Sequence, residues 1–229
     1  MTGTAIVFGA SGGIGSAVVN VLENSGTYDT VLGFSRSSRP HLQLLDEASI
    51  LACAEHAGSL NGDVRLMFDA TGALTVDGAG PEKSMRDLDP EGLAQSFAVN
   101  AIGPALLMKH FLPLLPRTGR CVFMTLSARV GSIGDNRLGG WYSYRAAKAA
   151  LNQLVRTASV ELARRNPQGI CVAMHPGTVR TPLTEGFAKT GLEVQEPLVA
   201  ARRILDAIQN LTPSQSGGFF DQHGKPVPW

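Results

Sequence analysis

Residues 4–15 read TAIVFGASGGIG, an apolar run that continues directly into a loop containing four glycines. The run predicts a buried strand over Thr4–Gly9, and the apolar spacing after the loop predicts a helix over Ile14–Ser25. Glycines at such a turn allow a tight bend, close approach of the backbone to a bound group, and close packing of helix on strand. The helix N-terminus also offers free N–H groups and a positive dipole end to an anion. The stretch therefore predicts an anion-binding strand–loop–helix unit; the alternative is a plain glycine-rich turn.

The same alternation of short apolar runs and longer helical segments continues along the chain. Near-continuous apolar runs are typical of parallel strands buried on both faces. They predict further strands at Thr30–Ser35, Val64–Ala70, Cys121–Ser127 and Ile170–His175, a weaker one at His41–Leu45, and a short last one at Gly218–Asp221. Helices are predicted at Glu47–Ala57 with Asp46 as N-cap, Pro90–Met108, Ala146–Arg165 and Pro197–Asn210.

This order of elements predicts an α/β fold, namely a single-domain Rossmann-type doubly wound parallel sheet flanked by helices over residues 1–229. The segment Leu183–Glu196 has weak periodicity and is the candidate for a substrate lid, because loops on a rigid scaffold often carry binding.

Composition excludes several classes of protein. The chain has 26 glycines in 229 residues, without the three-residue period of collagen or a low-complexity tract. The formal net charge is +1 and no long basic stripe is present, so a nucleic-acid partner is not favoured. Three widely spaced cysteines without CxxC argue against a disulfide framework or a zinc site. With neither a signal-peptide pattern nor an apolar run of roughly 18–20 residues, we expect a cytoplasmic protein without a membrane partner.

The glycine loop has the spacing G-x-x-x-G-x-G directly after a predicted strand, which indicates a dinucleotide-binding site. In such sites a carboxylate about 20 residues further on usually binds the ribose 2′-hydroxyl. Here the second predicted strand ends FSRSSR over residues 34–39, with no carboxylate. Arg36 can pair with a 2′-phosphate, which an acidic residue would repel. The charge pattern therefore predicts NADP(H); the alternative is that Arg36 is a solvated loop residue.

Tyr144 and Lys148 are the sharpest candidates for catalysis. They lie at positions i and i+4 of YRAAK and so on one face of the predicted helix. A free phenol has a pKa of about 10, and a nearby ammonium lowers it. We therefore expect a Tyr144 with a lowered pKa that donates a proton to a carbonyl, or accepts it in reverse. The alternative is a surface helix turn. Tyr142 has no lysine four residues on and is interpreted as a packing or substrate-lining aromatic.

These motifs resemble the short-chain dehydrogenase/reductase family, and the resemblance covers essentially the whole chain. The stretches SARVGSIGD (127–135) and GGWYSYR (139–145), with the ending at 217–229, look like its C-factor/sniffer-like carbonyl reductase branch. The resemblance implies that the Val179 backbone and the Thr181 hydroxyl hold the nicotinamide carboxamide.

Asn100 is a further member of the predicted catalytic set, beside Tyr144 and Lys148. Asn is a poor helix former, and a Gly–Pro pair follows three residues later, so the sequence predicts a kink at this point. The resemblance implies that Asn100 distorts the helix and holds a water that links Lys148 to solvent. The alternative is a tolerated buried asparagine.

Two cofactor positions depart from the pattern of the family. Where relatives often hold the adenine with an Asp, this chain has Gln43, beside Leu44. Where relatives read Asn-Asn-Ala-Gly, residues 69–72 read Asp-Ala-Thr-Gly, which retains Gly72 but replaces Ala with Thr71. We expect both roles to survive these changes.

The serine that should hold the substrate oxygen is less clearly marked. Aligned on Gly131, Ser127 matches the first serine of the family's Ser-Ser pair, and Ala128 stands where the usual catalytic second serine would be. We predict Ser127 for this role, because a shift of one residue or a bulge could aim it inward. Ser132 is the alternative.

The predicted site is completed by loops at the ends of the strands. The predicted cofactor-binding residues are Gly9, Ser11, Gly12, Gly13, Ile14, Gly15, Ser35, Arg36, Gln43, Leu44, Ala70, Thr71, Gly72, Asn100, Tyr144, Lys148, Pro176, Gly177, Val179 and Thr181. His175, at a strand end before Pro-Gly, is interpreted as structural. The remaining histidines have no metal-ligand spacing, so no metal is predicted.

The sequence thus predicts an NADPH-dependent oxidoreductase that reduces a small-molecule carbonyl, or runs the reverse reaction. The alternative is a non-catalytic NADP-binding sensor or signalling protein on the same fold. In relatives, the helices matching Pro90–Met108 and Ala146–Arg165 often form subunit faces, which implies a homo-dimer or homo-tetramer.

Overall fold

The computed structural model describes residues 3–76, 78, 80–182 and 194–229. Its main sheet has six strands, which are β1 (Thr4–Phe8), β2 (Thr30–Phe34), β3 (Val64–Asp69), β4 (Cys121–Leu126), β5 (Gly169–His175) and β8 (Phe219–Asp221). They are all parallel and lie in the order β2-β1-β3-β4-β5-β8. Two short strands, β6 (Thr178–Val179) and β7 (Val194–Gln195), pair outside this sheet and were not predicted.

Helices cover both faces of the sheet, as the predicted doubly wound fold requires. They are α1 (Gly13–Ser25), α2 (Glu47–Gly58), α3 (Pro90–Phe97), α4 (Gly103–Phe111), α5 (Tyr142–Arg165) and α6 (Pro197–Asn210). One buried apolar cluster lies between the sheet and α2, α4 and α5, and the other lies between the sheet and α1 and α6. The central strands are therefore apolar on both faces, which is why they were recognisable as continuous apolar runs.

Local sequence signals determine where several of these helices begin. The Asp46 carboxylate accepts a hydrogen bond from Ala48 N at 3.1 Å and caps α2, as predicted. The Asp89 carboxylate accepts bonds from Glu91 N and Gly92 N, both at 3.0 Å, and caps α3 in the same way. Because α5 begins at Tyr142, four residues earlier than predicted, Tyr144 lies within its first turn.

The helix predicted over Pro90–Met108 is interrupted. Residues Ala98–Ile102 between α3 and α4 form a π-helical segment, which confirms the kink expected around Asn100. Helical structure then continues to Leu114, and Pro90–Leu114 is long and apolar enough by composition to cross a membrane. Its inward side chains, among them Leu107 and Phe111, are buried in the core, and core helices have the same composition.

The weak strand predicted at His41–Leu45 is wrong. These residues have no regular structure, because their backbone groups bond locally rather than to a neighbouring strand. Leu42 N donates to Ser35 O at 2.7 Å, and Gln43 N donates to Ser49 Oγ at 2.7 Å. Of the predicted lid Leu183–Glu196, residues 183–193 lie outside the described part of the chain. The three cysteines, Cys53, Cys121 and Cys171, are buried and unpaired.

Candidate active site

A cavity of about 1060 Å³ lies across the carboxyl ends of the central strands. It runs from the glycine turn after β1 to the segment that leads into α5. Of the predicted site residues, the cavity is lined by Ser11, Gly12, Gly13, Ile14, Gly15, Ala70, Thr71, Gly72, Ser127, Tyr144, Lys148, Pro176, Gly177, Val179 and Thr181. Outside this lining lie Gly9, Ser35, Arg36, Gln43, Leu44 and Asn100. Within the described residues, no group of three or more His, Cys, Asp or Glu could hold a metal ion.

The glycine turn has the close packing that its sequence predicts. Gly9 has φ +75°, and Gly12 N donates to Gly9 O at 2.9 Å. A Cβ on Gly15 would stand 2.1 Å from Gly9 O, so only glycine fits there. No side chain caps α1 at Gly12, and the first residues of the helix, Gly13, Ile14 and Gly15, line the cavity. This arrangement suits a pyrophosphate, whose charge the N–H groups and the helix dipole favour.

Tyr144 and Lys148 come together as predicted, one helical turn apart on α5. Lys148 is buried, and its Nζ donates to Leu126 O at 2.9 Å. The same Nζ lies 5.8 Å from the centroid of the Tyr144 ring. Burial lowers the pKa of Lys148 to about 8, against the opposing effect of the Asp69 carboxyl. The ammonium is therefore still the major form at neutral pH.

The prediction that Lys148 lowers the pKa of Tyr144 is wrong for this arrangement. Burial raises the pKa of the Tyr144 phenol well above its ordinary value. The ammonium lies over the face of the ring and donates to a backbone carbonyl, so it does not offset the loss of hydration at the phenol oxygen. Tyr144 is thus a neutral phenol at physiological pH, the form that carries the proton.

Asn100 lies in the π-helical segment, and its side chain bonds to backbone groups of Ala73 and Ser96. It is fully buried, its Oδ1 accepts from Ala73 N at 3.0 Å, and its Nδ2 donates to Ala73 O at 2.8 Å and Ser96 O at 3.1 Å. Gly72, with φ +136°, fits tightly beside it. A Cβ there would lie 3.0 Å from Asn100 Oδ1 and 3.3 Å from Lys148 Nζ. Asn100 Oδ1 and Lys148 Nζ therefore both lie close to Gly72, although Asn100 does not line the cavity.

The serine region shows why the sequence was difficult to interpret. Ser127 is buried at the end of β4, and its hydroxyl donates to Asn152 Oδ1 at 2.7 Å. Ala128 follows it in the lining of the cavity. Ser132 does not line the cavity, and its Oγ accepts from Asp135 N at 3.1 Å.

Two polar residues of the site were missed from the sequence. Asp69 is fully buried and accepts hydrogen bonds from Thr71 Oγ1 at 2.6 Å and Thr125 Oγ1 at 2.7 Å. Burial raises its pKa against these bonds and against the charge of Lys148. Asn152 lies one helical turn beyond Lys148, and this i, i+4 spacing was the only sequence signal for it.

His175 ends β5 and lines the cavity, beside the residues predicted to hold the nicotinamide. Burial and the charge of Arg129 lower its pKa to about 4, against the effect of Asp221. Its Nδ1 is buried without a hydrogen-bond partner among the described residues. His175 is therefore a neutral imidazole at physiological pH.

The chain matches, over residues 9–208, the family model described as enoyl-(acyl carrier protein) reductase. The dehydrogenase of 1-hydroxy-2-glutathionyl-2-methyl-3-butene from Rhodococcus sp. (strain AD45) is 28% identical over 236 residues, which cover 99% of this chain and 99% of that protein. C-signal of Myxococcus xanthus is 36% identical over 147 residues, 64% of this chain and 84% of that protein.

Solved structures show the same fold. The NADPH-bound carbonyl reductase from chicken fatty liver has a TM-score of 0.86 at 26% identity, covering 100% of this chain and 99% of that one. Carbonyl reductase Sniffer of D. melanogaster has a TM-score of 0.85 at 22% identity, covering 100% of both chains.

Proposed function

The chain belongs to the short-chain dehydrogenase/reductase family, and from this premise we propose that it is an NADP(H)-dependent oxidoreductase that interconverts a carbonyl and an alcohol. The observation that carries the proposal is the position of Tyr144 and Lys148 in one cavity with the glycine turn. A tyrosine in this position can act in proton transfer, and a non-catalytic protein on the same fold would not require such a residue.

The cavity fits a nicotinamide dinucleotide. Free N–H groups at the start of α1 would hold the pyrophosphate, with Gly15 too crowded for any side chain. Val179 and Thr181 would hold the carboxamide, and Lys148 would bond the ribose next to the ring. When bound, the cofactor supplies or accepts a hydride. The carbonyl reductase from chicken fatty liver, whose structure aligns with this chain, is NADPH-bound, which supports this class of cofactor.

Tyr144 and Lys148 would divide the proton chemistry between them. The neutral phenol of Tyr144 donates its proton to the carbonyl oxygen, which becomes the hydroxyl of the alcohol. The Lys148 ammonium, 5.8 Å from the centroid of the ring, attracts the phenolate that remains, although this attraction does not outweigh the loss of hydration. Because burial raises the pKa of Tyr144, the proposed reduction starts from the neutral phenol.

The test is oxidation of NADPH with a panel of aldehydes, ketones and quinones, using Tyr144→Phe as the control. We expect turnover by the wild type and a loss of at least about 100-fold in the variant, the range attributed to positioned acid–base groups. Equal binding of NADPH by both proteins would show that the loss concerns chemistry. Full activity of Tyr144→Phe would contradict the proposed role.

A second candidate is a non-catalytic NADP-binding sensor or signalling protein. It is favoured by the Ser127 hydroxyl, whose proton is already donated to Asn152, and by the absence of a hydroxyl at Ala128. Tight NADPH binding without turnover of any carbonyl in the panel would support it over the enzyme.

We also propose a homo-oligomer that uses the outer faces of α3–α4 and α5. Exposed apolar side chains on these faces, Leu93, Ile102, Leu154 and Val160, would be covered by a second copy. Light scattering after size-exclusion chromatography tests this, and a monomeric mass at micromolar concentration would contradict it.

A further inference from the structure

The part of the cavity lined by Lys83 and residues 129–145 is rich in cations. Lys83, Arg129, Arg137 and Arg145 line it, and Asp135 is the only acidic side chain that the structure describes in the lining. Asp135 is already paired with Arg129, at 3.1 Å between Asp135 Oδ2 and Arg129 Nη1. Among the side chains that the structure describes, the charges at this end of the cavity therefore do not balance.

Nearby carboxylates do not correct the imbalance. Glu82 Oε2 accepts from Ser143 N at 3.1 Å and from Ser143 Oγ at 2.9 Å, at the start of α5. Asp221 Oδ2 lies 4.0 Å from the guanidinium of Arg129. In the described ranges, neither Lys83 nor Arg137 forms an ion pair, and both are exposed at the rim.

The backbone segments that carry these two cations pack against each other. Gly139 and Gly140 each have φ +63°, and Trp141 follows with φ +54°, a conformation that costs a bulky residue free energy. The carbonyl oxygens of Glu82 and Lys83 lie 3.7 Å from the position that a Cβ on Gly140 would take. The 82–83 segment thus packs directly on the turn that follows Arg137.

The Arg145 guanidinium holds this turn in place through hydrogen bonds to backbone carbonyl oxygens. Its Nε donates to Gly140 O at 2.8 Å, and its two terminal nitrogens donate to Gly139 O at 3.1 Å and Val130 O at 3.3 Å. The turn also presents apolar surface to the cavity. Leu138 is 84% exposed, and the Trp141 ring meets the Tyr144 ring edge-on at 6.3 Å between centroids.

From this combination we propose that the substrate is a carbonyl compound with an apolar body and a carboxylate or similar anionic group, bound at the rim by Lys83 and Arg137. The inference rests on the proposed function, because it concerns the substrate of the same site. A cleft lined by charge of one sign concentrates ligands of the opposite sign, and arginine binds carboxylates through two parallel hydrogen bonds. Trp141 and Leu138 would cover the apolar body between the anion and Tyr144.

The direct test compares 4-formylbenzoate with its neutral methyl ester as substrates with NADPH. The ester withdraws electrons more strongly and makes the aldehyde the more reactive of the two, so a preference for the acid reports binding. We expect kcat/KM to favour the carboxylate about tenfold at low ionic strength, mainly through KM, and the preference to fall as salt screens the rim. Equal values, or a preference for the ester, would overturn the inference.

Variants test whether Lys83 and Arg137 cause the preference for the carboxylate. In Lys83→Gln/Arg137→Gln the ratio of the two kcat/KM values should fall about tenfold, which matches the loss of a charged hydrogen bond. Arg117→Gln is the matched control, because Arg117 is exposed near the amino end of β4, at the edge of the sheet opposite the cavity. An unchanged ratio in the double variant would overturn the assignment of these two cations.

A binding measurement separates this inference from the proposed function. If neither aldehyde is reduced, the proposed reductase activity fails for these carbonyls. Calorimetric titration of both compounds into the protein with NADPH still decides the inference. Tighter binding of the carboxylate than of the ester supports an anion site, and equal dissociation constants contradict it.

Discussion

Ser127 would have to serve two partners with one hydroxyl proton. In the structure this proton goes to Asn152 Oδ1 at 2.7 Å, so a substrate oxygen would have to compete with a buried amide. We retain Ser127 as the proposed residue because it lines the cavity, whereas Ser132 does not. Ser127→Ala should lower kcat/KM about tenfold, the order expected for one hydrogen bond to a charged transition state.

Ser132→Ala is the matched control, since both serines are buried and both changes remove one hydroxyl. It should leave kcat/KM within about twofold of the wild type. The reverse result, with activity lost only in Ser132→Ala, would show that the assignment to Ser127 is wrong. Thermal unfolding of both variants should accompany the kinetics, so that a loss of fold is not mistaken for a loss of catalysis.

Arg36 decides the proposed choice of cofactor by its charge. It is exposed just beyond β2, in a segment without carboxylates, where a 2′-phosphate would gain a charge-assisted hydrogen bond. We expect tighter binding of NADPH than of NADH, and Arg36→Gln should weaken NADPH binding about tenfold with little effect on NADH. Fluorescence titration with both nucleotides measures this. Equal or tighter binding of NADH by the wild type would contradict the prediction.

At the scale of elements, the β1–α1 turn sets how closely α1 can approach the sheet. A Cβ on Gly15 would stand 2.1 Å from Gly9 O, a backbone atom that cannot move away without shifting β1. Gly15→Ala should therefore lower the free energy of unfolding by about 2 kcal/mol or more and abolish tight NADPH binding. Gly58→Ala, in α2, is the control, since its Cβ would meet only the end of the Leu114 side chain at 3.3 Å. Denaturant unfolding and nucleotide titration of both variants test the prediction.

The elements that the sequence predicted well are those whose signal is local. The apolar runs gave β1 through β5 nearly to the residue, and Asn100 with the following Gly–Pro gave the interruption between α3 and α4. His41–Leu45 failed because Ser35 and Ser49, from neighbouring segments, bind its backbone groups.

In the candidate site, too, only the local signals were predictable from the sequence. Tyr144 and Lys148 share one helix, so their spacing alone predicted their contact. The Asp69–Thr125 bond joins residues on two neighbouring strands, and the Ser127–Asn152 bond joins a strand end to a helix. Such pairings are decided by tertiary packing. The raised pKa of Tyr144 depends in the same way on burial by the whole fold.

At the scale of the whole molecule, His175 should make the stability of the protein depend on pH. It joins the end of β5 to the cavity, with the cation of Arg129 and the carboxylate of Asp221 as the nearby charges. Its pKa is about 4 in the fold, and the ordinary value is 6.5. Between these two values the unfolded chain binds a proton that the folded chain does not, so the free energy of unfolding falls as the pH falls from 6.5 to 4.

The contribution of His175 can be isolated from that of the carboxylates, which also titrate over this range, by comparing slopes. His175→Asn keeps a polar side chain but removes the titration, so its free energy of unfolding should fall less between pH 6.5 and 4, by on the order of 2 kcal/mol. Urea unfolding at several pH values measures the difference, with His41→Asn at an exposed position as the control that should retain the wild-type slope. Parallel curves for His175→Asn and the wild type would mean that the imidazole is protonated within the fold. In that case the Nδ1 without a partner would have to find an acceptor among the residues around β5, and Asp221 is the carboxylate whose charge acts on His175.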